Sequence, residues 1–327
     1  MTFAHFIKEI GRGAEGAREL SQSDACQLFG AMLDGGVPDL ELGAILIAYR
    51  VKSESVAELI GFHAALAERL FRLKAPAVKS LPVVLPSYNG ARHQPNLLPL
   101  LALLLARFGV PVLVHGALNG DGRVASAYIF RELGVMPCAS LAQAQAALDE
   151  KRIAFVPTAV LAPGLANLLS VRSRLGVRNS AHSMAKLIDP FEGGALRVVS
   201  VSHPAYLDKM REFLLATGGR ALLMRGTEGE PFANPKRRPR LEYFHAAAAQ
   251  VLFEAELGPL KSLPTLPATI DAATTAAWIQ QALAGEVPLP QPFVNQLACC
   301  LFGAGYAHDL NQAKAIVAVE TGSLAAA

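Results

Sequence analysis

The residues best suited to chemistry in this chain are cations. From Gly229 the sequence reads GEPFANPKRRPR, setting Lys236, Arg237, Arg238 and Arg240 among Pro231, Pro235 and Pro239. Proline removes an amide donor and fixes φ, so this density excludes a regular helix or an inner strand. The stretch Glu228–Arg240 is therefore expected to be an exposed basic loop, held too extended for local partners to neutralise every cation. A second group comprises Arg172, Arg174, Arg178 and Lys186, with Arg92 and Arg123 in separate loops. Guanidinium and ammonium groups gathered on one face make a patch of positive potential that suits a phosphate backbone. A solvated helix face accounts equally for Arg172 and Arg174.

Two glycine-bearing loops offer backbone amides as a second route to anions. Pro86-Ser87-Tyr88-Asn89-Gly90-Ala91-Arg92 follows a short β run and reads either as a plain surface loop or as a cationic loop touching an anion. His115-Gly116 closes the next β run, and Asn119-Gly120-Asp121-Gly122-Arg123 precedes a helix. Amides at a helix start can face an anion, although a turn and a helix cap explain the same residues. His115 alone reads more simply as a core or turn histidine. Tyr88, Tyr128 and Tyr243 lie near the cations in sequence and can stack on bases, with core packing as the alternative.

The elements that must position these residues follow from apolar periodicity. The first ~75 residues read as helices, with Ser21 capping Asp24–Leu33, then Pro38–Arg50 and Ser55–Phe71. Beyond them, β runs at Leu81–Leu85, Pro111–Val114, Ile153–Val156, Leu196–Val201 and Ala221–Met224 alternate with helical stretches. Those stretches are Asn96–Phe108, Val124–Leu133, Leu161–Leu175 and Pro204–Thr217. This alternation predicts an α/β fold with a mainly parallel sheet and helices on both faces. The tail, Ala272–Ala284, Pro292–Leu301 and Asp309–Glu320, returns to helices. The expected domains are a helical domain over 1–75, completed by a segment near 162–190, and an α/β domain over 76–327.

Composition narrows the function classes. The 327 residues are 52% hydrophobic and 17% charged, enough to bury a core and too apolar for a disordered adaptor. No apolar run reaches the ~18 residues that span a membrane, and the first residues lack a secretory pattern. A cytoplasmic location is expected. The net charge of +3 is modest, so local distribution matters more than the sum. Cys26, Cys138, Cys299 and Cys300 show no metal-ligand spacing and are expected as reduced core residues, with no metal site.

Three segments resemble the anthranilate phosphoribosyltransferase family, of the glycosyltransferase family 3 fold. They are the N-terminal LSQSDACQLFGAMLDGGVPDLELGAILIAYRVKSESVAELIGF, the stretch LSVRSRLGVRNSAHS, and the C-terminal VNQLACCLFGAGYAHDLNQAKAIVAVETGSLAAA. The most specific match is Leu175-Gly176-Val177-Arg178. The resemblance covers about the whole chain. It implies a small helical domain hinged to a larger α/β domain, with the active site in the cleft between them, and a homodimer formed through the helical domain.

Against the family pattern this chain departs where the chemistry resides. The family's Gly-Thr-Gly-Gly-Asp pyrophosphate loop corresponds here to the loop holding Tyr88, Asn89 and Gly90. Its Lys-His-Gly-Asn-Arg stretch keeps His115 and Gly116 and is followed by Asn119. The Asp-Glu metal pair corresponds to Pro231 and Phe232, with Glu228 and Glu230 nearby as possible substitutes. Arg172 matches the arginine that meets the anthranilate carboxylate, and Arg178 matches as well. Residues Asn179 to His182 and Ala185-Lys186-Leu187 depart. The combination resembles the YbiB-type branch, which keeps the fold, lacks the substrate motifs and binds nucleic acid without sequence preference.

The resulting expectation is a non-specific nucleic-acid-binding homodimer that needs no cofactor, with no residue assigned a catalytic role. The alternative is a phosphoribosyltransferase of the tryptophan-biosynthesis type with an altered substrate. It would hold a phosphorylated small molecule and require Mg²⁺.

Overall fold

Ser21 sits in extended backbone and its hydroxyl accepts the amide of Asp24, which starts the helix Gln22–Leu33. Ser55 and Glu58 form a reciprocal capping box at the head of Val56–Ala67. Glu58 does more than cap. Fully buried, it accepts from Lys52 Nζ at 2.6 Å, from the amides of Ser55 and Leu20 at 2.7 and 2.9 Å, and from Tyr49 Oη at 3.3 Å. Burial, reinforced by this carboxylate, pushes the Tyr49 hydroxyl well above the usual phenol range. Phe29 stacks on Phe62 at 4.6 Å between the two helices. The computed structural model describes residues 2–258, 260 and 265–322.

The chain divides into two compact units, Met1–Phe71 with Thr158–Pro190, and Arg72–Pro157 with Phe191–Ala327. The first is all helical. Its second segment, expected as one helix over Leu161–Leu175, is three: Thr158–Leu161, Pro163–Ser170 and Arg172–Leu175. Pro163 enforces the first break, because the residue before a proline is driven out of helical geometry and Ala162 has φ −150°. A Cβ on Gly164 would lie 2.1 Å from the carbonyl oxygen of Leu33, so only glycine admits this close approach.

The second unit is built on seven strands: β1 (Val83–Ser87), β2 (Val112–Gly116), β3 (Ile153–Pro157), β4 (Leu196–Val201), β5 (Ala221–Arg225), β6 (Leu241–His245) and β7 (Ala248–Phe253). Their order is β3-β2-β1-β4-β5-β6-β7, parallel through β5 and antiparallel beyond. One face packs Val83, Leu85, Val112 and Val198 against the helices Leu98–Arg107, Ala272–Ala284 and Gln291–Gly303. Helices Leu141–Lys151 and Pro204–Thr217 pack on β3 and on β4 and β5, outside that cluster. Helices thus cover both faces. Chain order reverses between β1 and β4, a switch point where ligand sites commonly lie at the carboxyl ends of strands.

Three elements escaped the periodicity. Leu141–Lys151 buries only Ala144 and Leu148, so its apolar stripe is faint. Strands β6 and β7 form a hairpin whose two turn residues are Ala246 and Ala247, at φ 50° and 60°. Such a turn normally announces itself with Asn-Gly, and an alanine run reads instead as helix. Among the described residues, no helix is long and apolar enough to cross a membrane. All four cysteines are free; burial pushes the Cys300 thiol up to about 12.

Candidate functional site

Strand β1 ends at Ser87 on the carboxyl edge of the sheet, and the chain turns through Tyr88, Asn89 and Gly90, the last at φ +64°. The turn aims a run of backbone amides inward, and two glutamates from the turn after β5 receive them. Glu230, fully buried, accepts at one oxygen from the amides of Asn89 and Gly90 at 2.7 and 2.8 Å. Its other oxygen accepts from Ser87 Oγ at 2.7 Å. Glu228 accepts from the amides of Arg92, His93 and Gln94 at 3.1, 2.9 and 3.0 Å. The remaining amide, of Ala91, donates to Val124. The peptide carbonyl of Gly229 is held by Asn89 Nδ2 at 2.8 Å and Ser200 Oγ at 2.9 Å. Presenting both carboxylates puts Glu228 at φ +53°, an uncommon conformation for a residue with a Cβ.

A loop that can cradle an external anion therefore holds the chain's own carboxylates. The same contacts decide the metal question. Pro231 and Phe232 are buried, and Phe232 belongs to the core. Glu228 and Glu230 receive five amides and a hydroxyl between them. These residues do not fit a divalent cation.

His115 on β2 is buried, and Tyr88 Oη lies 2.6 Å from its Nδ1. Burial lowers its pKa to about 3, so the ring is neutral at pH 7. Its Nε2 has no hydrogen-bond partner among the described residues. Gly116 touches the carbonyl of Ser87 so closely that a Cβ would overlap it. Asn119 is exposed in a tight turn closed by the Arg123 amide on the Gly120 carbonyl at 3.0 Å, which is the turn reading of that glycine-rich stretch. Arg123 lies 4.0 Å from Glu228, and exposed Arg92 bonds its neighbour His93.

The basic segment needs correction. Its first half is core rather than exposed loop: Glu230, Phe232 and Ala233 are buried, and Gln296 clamps the backbone of Pro231 and Ala233 at 2.8 and 2.6 Å. Nor are its cations all left to solvent. Arg238 lies over the Phe253 ring at 5.1 Å, donates to the Glu254 carbonyl, and gives its amide to Glu256. Arg237 Nε donates to the Glu256 carbonyl at 2.9 Å. Arg240 stands 3.9 and 4.0 Å from Glu242 and Glu254. The side chain of exposed Lys236 has no partner among the described residues.

Arg237, Arg238 and Arg240 wall a cavity of about 440 Å³ with two further arginines, Arg211 and Arg225. Arg211 is pinned on buried Glu242 at 2.9 Å, with Asp208 at its other edge. Arg225, exposed at the end of β5, has no side-chain partner among the described residues. The cavity also holds Glu228, Glu242 and Glu256. Five guanidinium groups still outnumber three carboxylates.

In the helical unit, burial first and then the charges of Arg178, Arg172 and Lys186 lower the His182 pKa to about 4, so each of these cations is felt at that ring. Arg174 instead pairs with Asp39 at 3.1 Å on the surface. Of the tyrosines, Tyr243 packs on Phe302 at 5.4 Å and receives Arg220, and Tyr128 packs against the core.

Comparison with known proteins places this geometry. Protein YbiB of Escherichia coli (strain K12) is 47% identical over 318 residues, spanning 97% of this chain and 99% of that protein. The chain belongs to the YbiB family of anthranilate phosphoribosyltransferase-like proteins. Residues 4–70 match the family described as "Glycosyl transferase family, helical bundle domain". The anthranilate phosphoribosyltransferase of Rhodospirillum rubrum is 26% identical over 329 residues, 98% of this chain and 94% of its own. In fold, this YbiB-family chain is similar to anthranilate phosphoribosyltransferase from Thermus thermophilus, with a TM-score of 0.75 at 23% identity over 96% of this chain and 94% of that one. The Saccharomyces cerevisiae enzyme in complex with PRPP and Mg gives 0.71 at 12% identity, over 98% and 93%.

Two outcomes follow for stability. Glu230→Ala orphans two buried amides, each worth about 1–3 kcal/mol, while Ser87 Oγ keeps Ser126; urea melts are expected to lose about 3 kcal/mol, and unchanged stability would refute the closure. His115 has a folded pKa depressed below the ordinary 6.5, so its stabilising contribution is full above pH 6.5 and is lost as pH falls towards about 3. Each pH unit in that window costs about 1.4 kcal/mol. His115→Gln is expected to flatten the slope of stability between pH 6 and 4, and an unaltered slope would mean His115 is not the group responsible.

Proposed function

We propose that this protein binds nucleic acid through its phosphate backbone, without reading base sequence, as a homodimer, and that it does not transfer phosphoribosyl groups. The observation that carries the reading is the arginine-walled cavity, where Arg225 and the neighbouring Lys236 have no side-chain partner among the described residues. Arginine forks suit phosphate oxygens, and a polyanion needs only charge at roughly the right spacing. Arg172, Arg178 and Lys186 supply a further group of cations in the helical unit.

The named activity of the relatives does not carry over easily. The yeast enzyme binds PRPP and Mg. Capture of a pyrophosphate on the β1 loop requires amides that face outward, and here those amides are held by Glu228 and Glu230. With Glu228 and Glu230 engaged by those amides, this loop favours neither pyrophosphate nor Mg²⁺, which weighs against the transferase alternative.

The homodimer reading rests on the helix Asp39–Lys52. Leu40, Ala44, Ile47 and Val51 form an exposed stripe at i, i+4, i+7 and i+11, with Leu40 83% and Val51 59% accessible. Such a stripe on one helix face is the usual signature of a covered surface.

In anisotropy titrations, unrelated single- and double-stranded oligonucleotides are expected to bind with similar affinity, falling steeply with salt. Replacing Arg225, Lys236 and Arg240 together by Ala should weaken all of them and lower the salt slope by about 1 for each phosphate no longer engaged. Variant binding equal to wild type rules out this interface, and saturable heat on adding phosphoribosyl pyrophosphate with Mg²⁺ restores the transferase. By light scattering the chain is expected to be a dimer. Glu at both Ile47 and Val51 should give a folded monomer; a dimer that persists places the interface elsewhere.

A further inference from the structure

A flat cationic surface would serve a phosphate backbone, but this protein gathers its arginines around a hollow. At about 440 Å³ the cavity falls within the roughly 300–1,000 Å³ typical of small-ligand pockets. The carboxyl end of β5, the segment Asn234–Arg240 and the helix Pro204–Thr217 all contribute to it. A strand's backbone can meet the exposed Arg225, Lys236 and Arg240 from outside, but a duplex presents its phosphates on a convex ridge and does not follow the wall inward. The hollow itself takes one phosphate with the group that carries it.

We propose that this cavity is a pocket for a phosphate monoester on an apolar-bodied group, namely the terminal phosphate of a nucleic-acid strand or a free mononucleotide. The lining supports both parts of such a ligand. Among the described residues, Arg225 has no side-chain partner, and Arg237 engages Nε alone, on the Glu256 carbonyl, leaving both Nη groups. Asn234 engages its Oδ1 with the Lys236 amide, so its Nδ2 offers a neutral donor. Leu207, Leu223 and Pro239 supply an apolar wall for the sugar and base.

The cavity's own acids do not compete for these donors. Glu228 is taken by three loop amides, Glu242 by Arg211 and Glu256 by the Arg238 amide. These contacts also fix the wall before ligand arrives, which lowers the ordering cost of binding. A monoester carries close to two negative charges at neutral pH, against one for a diester, so each guanidinium contact is stronger at a strand end than along the strand.

This inference rests on the phosphate-binding reading of the same cavity, and its test separates the two. One oligonucleotide would be titrated as its 5′-phosphate, 3′-phosphate and unphosphorylated forms at fixed salt, beside adenosine monophosphate and adenosine. Wild type is expected to favour one phosphorylated end about tenfold or more, and to bind the monophosphate but not the nucleoside. Arg225→Ala and Arg237→Ala should reduce the phosphorylated form to the level of the unphosphorylated one, with circular dichroism unchanged. Arg225→Lys, which keeps charge but loses the fork, should fall between. Equal binding of all three oligonucleotides, still salt-sensitive, overturns the pocket and leaves backbone binding intact. Binding of the monophosphate alone, with no oligonucleotide bound, upholds the pocket and removes the nucleic-acid reading. A preference for the phosphorylated end that survives both alanine variants places the monoester site elsewhere and overturns this one.

Discussion

Two carboxylates on five backbone amides set the terms for the rest of the α/β unit. The amides of Asn89 and Gly90 are buried and could not be left unpaired without a desolvation penalty, while those of Arg92, His93 and Gln94, nearer solvent, converge on Glu228. In a protein that captures an anion there, the ligand meets part of that demand. Here Glu228 and Glu230 meet it permanently, at the effective concentration of a tethered group, so loop order no longer depends on ligand. The turn after β5 and the loop after β1 become one joint across β4, with Ser200 and Asn89 sharing the Gly229 carbonyl.

Cations around that joint divide into two kinds. Arg211 and Arg238 belong to the architecture, one pinned on buried Glu242, the other laid over Phe253 and bonded to the Glu254 carbonyl. Removing either disturbs packing as well as charge. Arg225, Lys236 and Arg240 lie outward on looser contacts or none with described residues. A long basic motif therefore overstates the charge offered to a ligand, since part of it serves its own loop.

The fold was legible because apolar periodicity is a local signal tied to burial. The run at Leu196–Val201 and the helices Pro204–Thr217 and Ala272–Ala284 emerge with the boundaries the pattern gives. It failed where local preference and tertiary outcome part company: at the Ala246-Ala247 hairpin turn, which sheet pairing imposes on residues that favour helix, and at Pro163, which splits one apolar stripe into separate helices. The site was legible only in part. Cations can be seen in a sequence, but their partners cannot. Arg238 looks as free as Lys236 until Phe253 and Glu256, some fifteen to eighteen residues on, return beside it through the β6–β7 hairpin. Arg211 lay in an ordinary helix, with no clustering in sequence to mark it. Glu230 stood out only as a substitute metal ligand; a single glutamate between glycine and proline does not announce amides 140 residues away as its partners.

These two arrangements make very different demands on geometry. Holding a pyrophosphate for transfer requires amides, metal and acceptor placed within about half an ångström, so one carboxylate arriving on the amides ends it. Attraction of a polyanion falls off slowly with distance and tolerates side chains that move. A scaffold whose precise cradle is filled from within can therefore still gather cations on neighbouring loops and gain a charge-based function without rebuilding its core. In this chain the two carboxylates spend their oxygens mainly on backbone amides: Glu228 keeps a contact of 4.0 Å with Arg123, while arginines of the neighbouring cavity meet Glu242, Glu254 or a backbone carbonyl instead.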